Sequence, residues 1–167
     1  HRGFYPMVAA EKLGKPYVMV IDKAPSVSPT IPQQPEVQRV RELMYWQMDN
    51  LARTEWANYV ATQPATTQSQ LARYAFEQQW ADLAVQATIT GKMWNHLEER
   101  FPLAWQNEFE RYTKDKAIDR NYAMAIARQE SAWNPQARSS AGATGLMQVM
   151  PKTAEFTVKQ AGITGYA

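Results

Sequence analysis

Ala127 to Ala154 reads ARQESAWNPQARSSAGATGLMQVMPKTA, and the fold of the chain turns on how this stretch is read. It opens as the last turn of a helix, with Glu130 and Ser131 at its end. Asn134-Pro135 forces the backbone out of the helical region, because proline crowds the residue before it. A run of small residues follows, with Gly142 and Gly145 at positions where positive φ or close backbone approach is available. Pro151 then opens another helix, bracketed by Gly162 beyond its end. Upstream, Asp119 stands where a helix cap belongs, and Tyr122, Ala125, Ile126 and Gln129 share one face at helical spacing.

Glu130 is a local conflict. Unpaired carbonyls give a helix C-terminus partial negative charge, so a cation is the ordinary choice there. Such conflicts are expected at functional sites. The field at the helix end favours the protonated carboxyl, and so does the burial expected under Met147, Met150 or Trp133. A protonated carboxyl can donate to a glycosidic oxygen. Taken singly, the residue reads more readily as a solvated glutamate with no role; the surrounding motif reverses that reading.

The stretch resembles the soluble lytic murein transglycosylases, relatives of goose-type lysozyme. The resemblance rests on Glu130-Ser131, Asn134-Pro135, Ala137, Ser139, Ala141-Gly142-Ala143, Gly145-Leu146-Met147-Gln148 and Met150-Pro151. The sequence before it looks like the end of the helical superhelix and the linker domain of the large, ring-shaped member of that family. The resemblance implies cleavage of the MurNAc-GlcNAc β-1,4 bond of peptidoglycan with a 1,6-anhydromuramic acid product. It implies Glu130 as acid and then base, with the substrate's acetamido group as the second catalytic group. Ser139 and Gln148 are expected to bind the muramic-acid sugar, Met147 and Met150 to line the cleft, and Ser131 to orient the helix end. Each has a plainer reading: Ser139 as a loop residue, Gln148 as a partner of backbone groups, and both methionines as core. The implied location is the periplasm. The implied partners are peptidoglycan glycan strands and, as a further possibility, cell-wall synthesis proteins. No metal or cofactor is implied. The family's later Ala-Tyr-Asn-Ala-Gly motif is absent, as is the tyrosine that faces its acid. With the abrupt start and the end at Gly165-Tyr166-Ala167, this leads us to expect a segment of a longer protein, with little or no activity by itself.

Composition sets the outer bounds. At 167 residues and 45% apolar, the chain is large enough to build a core. A net charge of +2, with acids and bases interleaved, argues against nucleic acid as the main partner. No apolar run approaches a membrane span. The absence of cysteine excludes disulfides and thiolate chemistry, and His1 and His96 have no metal-ligand spacing.

Along the chain, Phe4 to Leu13 reads as a helix stopped by Gly14, and Tyr17 to Ile21 as a short strand-like alternation. Pro25 to Pro35 is an extended, proline-rich connection. Glu36 starts a helix with Val37, Val40, Met44 and Met48 on one face. Asp49 or Asn50 is a candidate cap for a helix from Leu51 to Ala61. Thr66 or Thr67 is the candidate cap of one long helix, Gln68 to about Ile89, and Lys92 to Arg100 reads as a further short helix. Trp105, Phe109 and Tyr112 follow helical spacing, and Glu155 reads as a surface residue. The aromatic-rich middle reads as a packed bundle, although Trp56, Trp80 and Trp94 also suit stacking on sugar rings.

The expected architecture is therefore all-α. Residues 1–32 are the end of a superhelical domain and its connection, 33–116 a helical linker domain, and 117–167 the first part of a lysozyme-like domain. Two other functions fit the same residues: a non-catalytic scaffold or cell-wall docking module, and hydrolysis of the goose-type lysozyme kind.

Overall fold

The computed structural model describes residues 3–164; the expectations for His1 and for residues 165–167 lie outside them. Among the described residues there are nine α-helices and one 3-10 turn, and no strand beyond isolated bridges. The all-α expectation holds.

Helix α1 (Phe4–Lys12) ends as its sequence dictates. Gly14 takes φ +60°, the Lys15 N–H reaches back to Ala10 O at 2.9 Å, and the Gly14 N–H bonds Glu11 O at 3.0 Å. The expected alternation at 17–21 forms no strand. Val18, Met19, Val20 and Ile21 are all more than half exposed, because alternation needs a neighbouring strand to pair with and none is at hand. Hydrogen bonds tie this extended connection to the bundle: the Asp22 N–H bonds Asn95 O at 3.0 Å, and the Ser28 N–H bonds Gln70 Oε1 at 2.8 Å. Its last turn, Ile31–Gln33, buries Ile31 in the bundle.

Helices α2 (Pro35–Tyr45), α3 (Asp49–Thr62), α4 (Ala65–Glu77) and α5 (Ala81–Thr90) enclose the main core. Val37 and Val40 of α2 are fully buried, Met44 is half-buried, and Met48 lies outside at the N-cap of α3. Trp56 is at the centre with no exposed surface. Its indole N–H donates to Leu83 O at 2.9 Å, so the polar edge is satisfied where the ring is buried.

Three further expectations are corrected within the bundle. The long helix over 68–89 is two helices, broken at Gln78-Gln79-Trp80 with Gln79 at φ +61°. The break carries no glycine or proline. It is stabilised instead by tertiary packing, since Trp80 meets both Trp56 (6.3 Å between centroids) and Tyr74 (5.8 Å) edge-on. The side-chain caps do not form: Asp49 is already helical behind Met48, and α4 starts at Ala65 behind Pro64. Over 92–100 only α6 (Leu97–Arg100) is helical. It is held by Arg73, which bonds Glu77 (2.9 Å), Glu98 (2.7 Å) and the buried Glu99 (3.1 Å).

Helix α7 (Gln106–Thr113) follows Trp105, whose backbone is left-handed at φ +56°. Of the aromatic residues spaced along it, Phe109 packs inward and Tyr112 is 70% exposed. Helix α8 (Arg120–Ser131) lies against α7, and α9 (Pro151–Gln160) buries none of its residues. A second, smaller core forms around Val85, Met124, Ala127 and Trp133, with Phe109 and Leu146 against it. Helix α5 thus serves both cores: Leu83, Ala84 and Ala87 face the bundle, and Val85 faces α8.

Candidate active site

Helix α8 starts where the sequence puts its cap: the Tyr122 N–H donates to Asp119 Oδ1 at 2.9 Å. Its buried stripe is Ala123, Met124, Ala127 and Ser131. The expected face of Tyr122, Ala125, Ile126 and Gln129 is largely outward, with Tyr122 64% exposed. Both stripes have helical period; the one built from alanine and methionine allows the closer approach of Trp133 and Val85.

The helix closes on Ser131, whose hydroxyl donates to Ala127 O at 2.9 Å and is buried. Two left-handed residues follow, Ala132 (φ +49°) and Trp133 (φ +68°). They turn the chain so that the Trp133 ring, 3% exposed, drops into the second core with its edge against Phe109, 5.9 Å between centroids. Glu130 is exposed, so the expected burial of its carboxyl is absent: Trp133 is occupied in the core, and Met147 and Met150 are 37% and 42% exposed.

The loop after the helix is stitched by its own polar groups. The Gln136 N–H bonds Asn134 Oδ1 at 2.8 Å. The Ser139 N–H bonds Ala143 O at 2.9 Å, and the Ala143 N–H bonds Ser139 Oγ at 3.0 Å. Thr144 and Val149 exchange both backbone bonds at 3.1 Å. Gly145, at φ +76°, brings its N–H to Ala137 O at 2.9 Å. The side chain of Gln148 donates to Ala137 O (3.1 Å) and Gly145 O (3.0 Å). Ser139 and Gln148 are therefore braces of one loop that leaves the end of the Glu130 helix and runs into α9 through Met147 and Met150. Glu155 pairs with Lys159 at 2.7 Å on the outer surface of α9, as a surface residue should.

Beside the packing on Val85, polar contacts join this region to the bundle, and sequence reasoning had no signal for them. Arg53 of α3 pairs with Asp82 of α5 and also reaches Gln136 Oε1 at 3.5 Å. Arg128 of α8 donates from Nε to Arg100 O at 2.7 Å. Burial drives the Asp82 carboxyl above the usual range, although Arg53 acts to lower it. A groove of about 1160 Å³ runs between Arg53, Trp80, the 101–108 segment and Trp133, and Glu130 does not line it. Among the described residues no cluster of histidine, aspartate or glutamate suits a metal ion, and no helix is long and apolar enough to cross a membrane.

An all-α chain that ends a helix on Glu-Ser and folds a Gly-Leu-Met-Gln loop behind it defines a class. Residues 107–166 match the family model described as the transglycosylase SLT domain, and residues 30–97 match the soluble lytic murein transglycosylase L domain. The chain belongs to the soluble lytic murein transglycosylase family. It is 62% identical over 167 residues to the soluble lytic murein transglycosylase of Escherichia coli strain K12, across 99% of this chain and 26% of that protein. Its structure is similar to that of the 70-kDa soluble lytic transglycosylase in complex with bulgecin A, with a TM-score of 0.96 and 62% identity over all of this chain and 27% of that one. An inactive glutamate-to-glutamine mutant of the lytic transglycosylase Slt from Pseudomonas aeruginosa gives a TM-score of 0.86 at 31% identity, over all of this chain and 28% of that one. The chain thus spans about a quarter of the length of these relatives.

Proposed function

We propose that this chain supplies the acid–base residue and part of the substrate cleft of a peptidoglycan lytic transglycosylase acting in the periplasm. The observation that carries the reading is Glu130 itself, an exposed carboxyl at the end of α8, next to a loop stitched by Ser139 and Gln148. The inactive glutamate-to-glutamine relative supports a glutamate in this role.

In this reading Glu130 donates its proton to the glycosidic oxygen between N-acetylmuramic acid and N-acetylglucosamine. The C1–O bond breaks, and the 2-acetamido oxygen of the muramic acid bonds to C1 in its place. The carboxylate then takes the proton of the 6-hydroxyl, O6 attacks C1, and the acetamido oxygen leaves. The acid is regenerated, no water is consumed, and the product ends in a 1,6-anhydro ring. Ser139, Gln148, Met147 and Met150 contact the sugar, and Ser131, whose hydroxyl is committed to Ala127 O, acts by fixing the helix end. Residues 1–32 are the end of a superhelical domain, 33–116 a linker domain and 117–167 the first part of the catalytic domain.

The test is mass spectrometry of the soluble products from purified peptidoglycan, using the full-length protein and its Glu130→Gln variant. Products lighter by one water than hydrolytic muropeptides, absent from the variant, are the expected result. Reducing-end products overturn the transglycosylase chemistry in favour of hydrolysis, and full turnover by Glu130→Gln overturns the assignment of the acid.

A further inference from the structure

Arg128 is two residues before Glu130 on α8, about 200° around the axis and ~3 Å along it, so the two side chains leave opposite sides of one helix. On its side Arg128 makes two contacts, and both are with the end of α6. Its Nε donates to Arg100 O at 2.7 Å, and its guanidinium lies 5.1 Å from the centre of the Phe101 ring. Phe101 is the residue that closes α6. A second guanidinium, that of Arg100, lies 5.1 Å from the same ring and 5.0 Å from Trp94, and donates to Trp94 O at 3.0 Å. Helix α6 is in turn fixed to α4 through Arg73 and the buried Glu99. A continuous line of contacts therefore runs from the bundle through α6, Phe101 and Arg128 into the helix that ends on Glu130.

We propose that Arg128 is a positioning residue for the reaction, fixing the rotation and height of α8 against the linker bundle so that the Glu130 carboxyl meets the glycosidic oxygen. The inference rests on the acid role proposed for Glu130. The linker bundle is then the platform that aims the acid, and not only a spacer. A planar group suits this role. The guanidinium lies over the ring while its Nε holds the carbonyl, and an ammonium on a flexible stem does not do both from one rigid group. Reacting atoms tolerate little displacement, and a misplacement of about 1 Å costs on the order of 10²-fold in rate.

The test uses the full-length protein with Arg128→Met, Arg128→Lys and Phe101→Leu, assayed on soluble glycan strands well below each variant's melting temperature. Arg128→Met is expected to lower kcat by roughly 10- to 100-fold with KM within about twofold, the signature of a lost transition-state contact rather than lost binding. Arg128→Lys is expected to be about as impaired, since it keeps the charge and loses the plane. Phe101→Leu is expected to fall between. Wild-type kcat in folded Arg128→Met, full rescue by lysine, or a loss that only tracks the unfolded fraction overturns the proposal. If Arg128→Met does not fold, wild-type kcat in Phe101→Leu, whose ring is about half exposed, overturns it equally. Glu130→Gln run in parallel separates the two readings: an active Glu130→Gln removes the acid, whereas an inactive one beside a fully active Arg128→Met removes only the positioning.

Discussion

Trp133→Ala should loosen the candidate site while leaving the linker bundle intact. The Trp133 ring is 3% exposed and packs on Val85, Met124, Ala127, Phe109 and Leu146, a cluster that includes none of the buried residues of α2, α3 or α4. Removing a buried tryptophan costs about 3–5 kcal/mol, through lost transfer energy and the cavity left behind. Backbone strain drops out of the comparison, because alanine at φ +68° is as strained as tryptophan. At about 1.4 kcal/mol per factor of ten, the loss amounts to roughly two to three and a half orders of magnitude in the local opening equilibrium. Native-state hydrogen exchange reads this residue by residue. Amides of α8 and of the loop over 137–149 should exchange faster by that factor, while those around Trp56 in α3 and Leu71 in α4 should move by less than about threefold. Equal acceleration in both regions would refute the reasoning: the two cores would then open as one unit, with Val85 and α5 coupling them.

Two further outcomes are expected. Asp119→Ala removes the acceptor of the Tyr122 N–H and should cost about 1 kcal/mol in urea denaturation; an unchanged midpoint would mean that water caps α8 as well as the carboxylate does. Asp82→Asn should show an inverted pH dependence. Burial raises the folded-state pKa of Asp82 above its unfolded value despite Arg53, so ionisation costs more in the fold than out of it. Its stabilising contribution is present below the unfolded pKa and is lost as pH rises through the folded one. The penalty of the non-ionising asparagine should therefore shrink as pH rises from below the ordinary aspartate range, and a penalty that grows instead would mean that the pairing with Arg53 outweighs burial.

Much of the fold is legible in the sequence because single residues force local structure. Gly14 ends α1, Asp119 starts α8, and Pro151 and Gly162 bracket α9, each through backbone chemistry that needs no tertiary partner. The candidate acid and its loop are legible as a motif, and the stitching by Ser139 and Gln148 gives those residue types a physical reason: Ser139 Oγ takes the Ala143 N–H, and the Gln148 amide adds a second donor to each of two carbonyls of the turn. What the sequence hides depends on distant residues. The break between α4 and α5 is set by Trp56 and Tyr74 receiving Trp80, and no local breaker announces it. The inward face of α8 lies nearly opposite the expected one, about 165° around the helix, because a tyrosine-isoleucine stripe and an alanine-methionine stripe have the same period. Arg128 is invisible as a link because its partners are a backbone carbonyl and a ring, and charge spacing records neither.

The brace at Gln148 has a consequence for any molecule that enters the loop. A carboxamide nitrogen has two hydrogens, and Ala137 O and Gly145 O take both. Turning the amide over would set its oxygen against those two carbonyls, so its orientation is locked. What the side chain still offers is lone pairs alone. A hydroxyl or an amide N–H arriving there is welcomed; a carbonyl or carboxylate oxygen is repelled. On the sugar contact proposed for Gln148, the loop would thus act as a polarity gate, taking a donor group of the sugar rather than an acceptor.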